Sequence, residues 1–105
     1  MKLKNIEKRA KEKNLEFNLT EEWLKEKLER GRCEATGIKF DTTKAPFMNP
    51  FYPTIDRVDS SKGYTIDNCQ LVCHMYNIAK SEFPEEVFTQ WAKAYVETYE
   101  KRVLK

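Results

Sequence analysis

The sequence predicts a single α+β domain, with helices at both ends around a central strand–turn–strand and a short helix. Three observations predict it. Apolar residues recur at helical spacing before residue 31 and again after residue 84. Residues 54–59 alternate and carry β-branched side chains, and CQLVC at 69–73 is a second short apolar stretch. No repeat, linker or low-complexity run divides the chain, so one domain is expected over 1–105.

Leu3, Ile6 and Ala10 form a weak helical stripe among lysines. The second helix is better marked: Thr20 is an N-cap, Glu21 and Glu22 sit in the first turn, and Gly31 follows the last. Leu19 and Leu24 fit a hydrophobic staple, with Trp23, Leu24 and Leu28 as the apolar face. From Thr36 to Pro53 the chain is rich in Gly, Pro, Thr and Asn and reads as loop. Thr54–Asp59 is the first expected strand. Ser60–Gly63 has turn chemistry, with a glycine available for a positive φ. Cys69–Cys73 is the second strand, and His74–Lys80 has helical composition. Pro84 then starts a long helix with Glu85 and Glu86 behind it. Its stripe of Val87, Phe88, Trp91, Ala92, Tyr95, Tyr99 and Val103 is expected to be core, the usual fate of aromatics at that spacing.

Composition narrows the function. With 19 Lys+Arg against 17 Asp+Glu, 34% charged and 40% hydrophobic residues, the chain is neither a histone-like tail nor an acidic disordered segment. No apolar run approaches eighteen residues, so no membrane span is expected. The opening MKLKNIEKRAKEK lacks the apolar stretch of a secretory signal. Cys33, Cys69 and Cys73, an odd number, give no disulfide framework, and a cytoplasmic location is expected. The net charge of +2 is uneven: residues 1–32 carry a net +3, residues 33–68 a net −1. A basic arm of this kind, including Lys8 and Arg9, favours phosphate backbones, although a merely solvated lysine-rich face has the same composition.

A strand, loop, strand and helix in about thirty residues can form a ββα unit. It would bring together Asp56 from the first strand, Asn68 before the second, and Asn77 from the helix. Asp56 is a hard oxygen donor suited to Mg²⁺ or Mn²⁺, and Asn77 offers an amide oxygen. Asn68 could fix the loop by hydrogen bonding across it. One carboxylate and one amide leave coordination positions for water and phosphate oxygens, as a single-metal phosphodiesterase requires.

At these residues the chain resembles the HNH (ββα-metal, or His-Me finger) endonucleases, particularly small phage-type members. The resemblance runs from about Arg9 to Lys80, some two thirds of the chain. It comprises KNLEFNLT at 13–20, CEATGIKF at 33–40, PTIDRVD at 53–59, KGYT at 62–65, DNC at 67–69, VC at 72–73 and NIAK at 77–80. It implies a ββα core at about 54–81 and hydrolysis of DNA phosphodiester bonds with one divalent ion. Asp56 looks like the family's metal-binding aspartate and Asn68 like the central Asn of the pattern. Asn77 stands where the last His or Asn completes the metal site.

Two departures matter. The residue after Asp56 is usually the histidine that activates water, and here it is Arg57. A guanidinium keeps its proton at neutral pH, so Arg57 could hold the scissile phosphate but not act as base. His74, the one histidine, lies three residues before Asn77 and shares its helix face. It is a candidate base or phosphate ligand, although an ordinary helix histidine is the commoner reading. Asp59 could serve too, but more simply caps the following turn, and a water activated directly by the metal would need no protein base. The second departure is zinc. Many members carry two Cys-x-x-Cys pairs, whereas here Cys33 is matched with Thr36 and Cys73 with Tyr76. No structural Zn²⁺ is expected.

The resulting expectation is a Mg²⁺- or Mn²⁺-dependent DNA endonuclease using Asp56, Arg57, Asn68, Asn77 and His74. Lys8, Arg9, Lys62 and Lys80 would hold the DNA backbone. A second copy, or a phage or host protein, could be a further partner, with the aromatic tail helix as a lid or a dimer surface. The alternatives are an inactive nuclease-like module that binds DNA or protein, and a structural accessory.

Overall fold

A computed structural model describes residues 2–104 of the 105-residue chain. The elements are α1 (Leu3–Glu12), α2 (Glu21–Arg30), β1 (Pro53–Arg57), β2 (Cys69–Cys73), α3 (His74–Lys80) and α4 (Glu85–Val103). The architecture is mixed α+β: four helices and one two-stranded antiparallel sheet among the described residues. No helix among them is long and apolar enough to cross a membrane.

The weak lysine-rich stripe is a true core face, since Leu3, Ile6 and Ala10 are all buried. On α2, the Thr20 side chain accepts the Trp23 N–H at 3.1 Å, and Gly31 closes the helix in the left-handed conformation at φ 70°. Leu19 and Leu24 are buried together as the staple requires, but Leu28 is exposed and drops out of the expected face.

β1 is Pro53–Arg57, one residue earlier at its start and two shorter at its end than expected. It pairs with β2 in a register that sets Asp56 opposite Gln70 and Arg57 opposite Cys69. Cys69 and Leu71 join Leu3, Ile6, Ala10, Trp23 and Leu24 in the larger core, with Ile55 packed against it. Val72 and Cys73 join Cys33 and Tyr76 in a second cluster. This small sheet is therefore fixed by what packs on it, as a lone hairpin must be.

Gly63 does not take a positive φ; among the glycines only Gly31 and Gly37 do. Its requirement is closeness. A Cβ at this position would lie 2.4 Å from the Glu16 carbonyl oxygen and 2.8 Å from its nitrogen. Hydrogen bonds from Tyr64 N to Glu16 O (2.8 Å) and from Asn18 N to Tyr64 O (3.1 Å) hold the two segments together there.

The irregular stretch before β1 is organised by Asn49. Its amide donates to the Asp41 carbonyl at 2.8 Å while its oxygen accepts the Phe51 N–H at 3.1 Å. The end of this loop then supplies α3 with its missing partners. The first two amides of α3, His74 and Met75, donate to Tyr52 O and Pro50 O.

The tail helix departs most from expectation. Its aromatic stripe is not core: α4 has no fully buried residue, and Trp91 is 60% exposed. Only its first turns touch the body, through Phe88 edge-on to Tyr76 with ring centres 5.2 Å apart.

Candidate functional site

The centre of interest is a polar cleft of about 380 Å³ beside β1 and α3, lined by Arg9, Asp56, Arg57, Tyr64, Asn77 and Glu82 among others. Strand alternation sends Thr54 and Asp56 toward α3 and turns Ile55 to the larger core. Asn77 reaches back across that face and donates to Thr54 Oγ1 at 3.2 Å and to Ile55 O at 3.3 Å. With its amide nitrogen so engaged, the oxygen is the free end of the side chain.

Asp56 is buried and held on both oxygens. Gln70, its cross-strand partner, donates to Oδ2 at 3.0 Å, and the Lys80 ammonium lies 3.5 Å from Oδ1. Lys80 is only 1% exposed and also donates to the Arg57 carbonyl. This corrects its expected role as a DNA-backbone contact. The last turn of α3 packs on β1, so the Lys80 stem is covered and its charge meets a carboxylate rather than solvent.

Asn68 is buried and spans the loop between the strands. Its oxygen accepts the Asp59 N–H at 3.0 Å, and its nitrogen donates to Asp59 O at 3.0 Å and Gly63 O at 2.9 Å. Asp59 caps the turn it precedes, accepting from Ser61 N at 2.9 Å and Ser61 Oγ at 2.6 Å. These bonds hold its carboxyl below the ordinary carboxylate range, with Lys62 and Arg57 adding attraction.

The same loop grips Arg57. Its Nη1 donates to Ser60 O at 2.7 Å and Lys62 O at 3.0 Å, and the guanidinium stands 4.8 Å over the Tyr64 ring. No carboxylate pairs with it among the described residues. Arg57 and Arg9 thus present two cations to the cleft that contains Asp56 and Asn77. Lys8 and Lys62 are exposed on α1 and in the loop.

His74 does not line this cleft. It lies in a neighbouring one with Tyr52 and Thr54, and the two share Arg9, Ile55 and Asn77. The expected common face of His74 and Asn77 is therefore present, while Asp56 and Arg57 open to the other side. Gln70 and Tyr64 are the partners that sequence reasoning missed. Gln70 was hidden because the expected first strand runs on to Asp59; only with β1 ending at Arg57 does Asp56 fall opposite Gln70.

An oxygen-only pair, Asp56 and Asn77, fits a hard divalent cation that keeps waters or phosphate oxygens as its other ligands. Among the described residues, no three His, Cys, Asp or Glu side chains gather to enclose one. Lys80 counts against cation affinity, since both positive charges would share one carboxylate.

The cysteines lie apart from the cleft. Cys33 Sγ accepts the Cys73 N–H at 3.3 Å inside the cluster with Tyr76. Burial pushes the Cys33 thiol up, but hydrogen bonds from Thr36 and from the Cys73, Ala35 and Thr36 amides outweigh it and leave it lowered. Burial raises Cys69 to about 12 and, with the neighbouring Cys33, Cys73 to about 11.

The chain is 37% identical over 79 residues to an uncharacterized protein, R423, of Acanthamoeba polyphaga mimivirus; the match covers 75% of this chain and 13% of that protein. The chain thus matches only a small part of a much longer relative. No protein-family model matches the sequence. No solved structure matches it either.

Proposed function

We propose that the Asp56–Asn77 cleft is a DNA phosphodiesterase site of the ββα-metal type, with β1, β2 and α3 as the ββα core. The observation that carries this reading is Asn68. Its three hydrogen bonds clamp the loop that holds Arg57, beside a carboxylate and an amide oxygen from two different elements. A metal-bearing phosphodiesterase needs that combination of hard oxygen donors and fixed phosphate-binding cations.

Asp56 and Asn77 would hold one Mg²⁺ or Mn²⁺. When bound, the ion supplies Lewis-acid stabilisation of charge on the phosphate and the leaving oxygen. Arg57 and Arg9 bind the non-bridging oxygens, and the Ser60 and Lys62 carbonyls keep the Arg57 fork from turning away. Lys8 and Lys62 extend the positive track for the DNA backbone. His74 reaches the site only from Asn77's far side, so its part is proton transfer through water or none. We place this activity in the cytoplasm of a virus-infected cell, a setting that the viral source of the mimivirus relative supports.

A second reading has one observation in its favour. Lys80 and Gln70 already satisfy both oxygens of Asp56, as in a module that keeps the fold and binds DNA without cutting it.

Plasmid nicking with Mg²⁺, Mn²⁺ or chelator separates the two. The nuclease reading expects metal-dependent nicking that falls at least about a hundredfold in Asp56→Ala, the loss typical of a key electrostatic group. Retained gel-shift affinity with no nicking under either metal leaves the binding module standing and removes the enzyme. His74→Ala with full activity removes His74 from the mechanism.

A further inference from the structure

The aromatic stripe of α4 leaves the body after Phe88, and past Trp91 no surface among the described residues covers it. Phe88, Trp91, Tyr95 and Tyr99 form a ladder with ring centres 5.9, 6.1 and 6.0 Å apart, and Trp91, Tyr95 and Tyr99 are about half exposed or more. At its base, Ala79, Phe83, Val87, Phe88 and Trp91 line an apolar notch where α3 gives way to α4. At the far end Val103 and Leu104 project, Leu104 79% exposed.

We propose that a second copy of this chain covers this face, the two α4 helices packing antiparallel about a two-fold axis at the level of Lys93 and Ala94. Two features of α4 point to that occupant. The first is charge. Glu85 and Arg102 sit at opposite ends beside the stripe, 17 residues apart. Antiparallel pairing sets Glu85 of each copy against Arg102 of the other, whereas parallel pairing sets like against like.

The second feature is size. The exposed parts of Val87, Trp91, Tyr95, Tyr99 and Val103 come to on the order of 600 Å², most of the ~800 Å² per partner of a standard interface. Single-stranded DNA stacking on the ladder is the less favoured occupant. The helix carries four acidic and three basic side chains, and a stacking platform for nucleic acid works within a positive groove.

The test is the association state of the full chain by sedimentation, from about 1 to 100 μM, a range that brackets ordinary dimer affinities. The wild type is expected to sediment at twice the monomer mass. Trp91→Glu and Tyr95→Glu, at exposed positions that leave the circular dichroism unchanged, are expected to sediment as monomers. Glu85→Arg and Arg102→Glu should each weaken association about tenfold, because two ion pairs are lost per dimer and two like pairs replace them. The double swap should restore it, which parallel pairing does not predict. A wild type that remains monomeric at 100 μM overturns the proposal. So does a dimer indifferent to Trp91→Glu, or association that appears only on added single-stranded DNA.

Discussion

The Lys80 ammonium and the Asp56 carboxylate stand 3.5 Å apart with side chains 2% and 3% exposed, joining the last turn of α3 to β1. A pair so deeply covered is costly to break from one side, because the charge left behind has no water to turn to. It also ties the stability of the α3–β1 junction to the chemistry of the cleft.

Lys80→Met is therefore expected to lower stability by about 3 kcal/mol, the size typical of a buried pair broken from one side. It should also raise the affinity of Asp56 for Mn²⁺, since the competing cation has gone. Urea unfolding reads the first effect, and titration of Mn²⁺ by electron paramagnetic resonance reads the second. Unchanged stability would mean that the pair does not join α3 to the sheet.

Asn68→Asp keeps the acceptor for the Asp59 N–H but loses the donors to Asp59 O and Gly63 O. Two carbonyls then face a carboxylate. The expected cost is about 2–4 kcal/mol. Hydrogen exchange at residues 58–63 should accelerate with it. Exchange confined to global unfolding in the variant would show that the loop does not depend on this side chain.

Gly63→Ala tests close approach against backbone conformation. The φ of Gly63 is not positive, so alanine meets no penalty from the backbone angle. The clash with Glu16 is expected to cost about 2–3 kcal/mol, since both contacting groups are backbone. A substitution without effect on the melting temperature would mean that the Glu16–Tyr64 bridge yields freely.

Among the three cysteines, Cys33 should be alkylated first at pH 8. Hydrogen bonds stabilise its thiolate, whereas burial holds Cys73 near 11 and Cys69 near 12. Peptide mapping after brief iodoacetamide treatment gives the order. Earlier labelling of Cys69 would contradict it.

Much of the backbone was legible in the sequence because its signals are local. The Thr20 cap and the Gly31 stop each act within one turn of α2. The strand CQLVC and the helix His74–Lys80 lie where the sequence puts them, since Cys69–Cys73 is apolar and β-capable and the helix stops at Ser81, ahead of Pro84. Asn68 was legible as a loop clamp for a similar reason: its partners Asp59 and Gly63 are close in sequence.

The tertiary structure decided where charge and apolar surface end up. Lys80 reads as an exposed lysine, and only the packing of α3 on β1 turns its ammonium into the partner of Asp56. His74 shares a helix face with Asn77, yet the cleft containing Asp56 opens on the other side. The stripe on α4 shows the limit most plainly. Periodicity records that a helix has an apolar face, but burial depends on whether another surface lies against it. Past Trp91 nothing among the described residues does, because α4 runs away from the two small clusters that form the core.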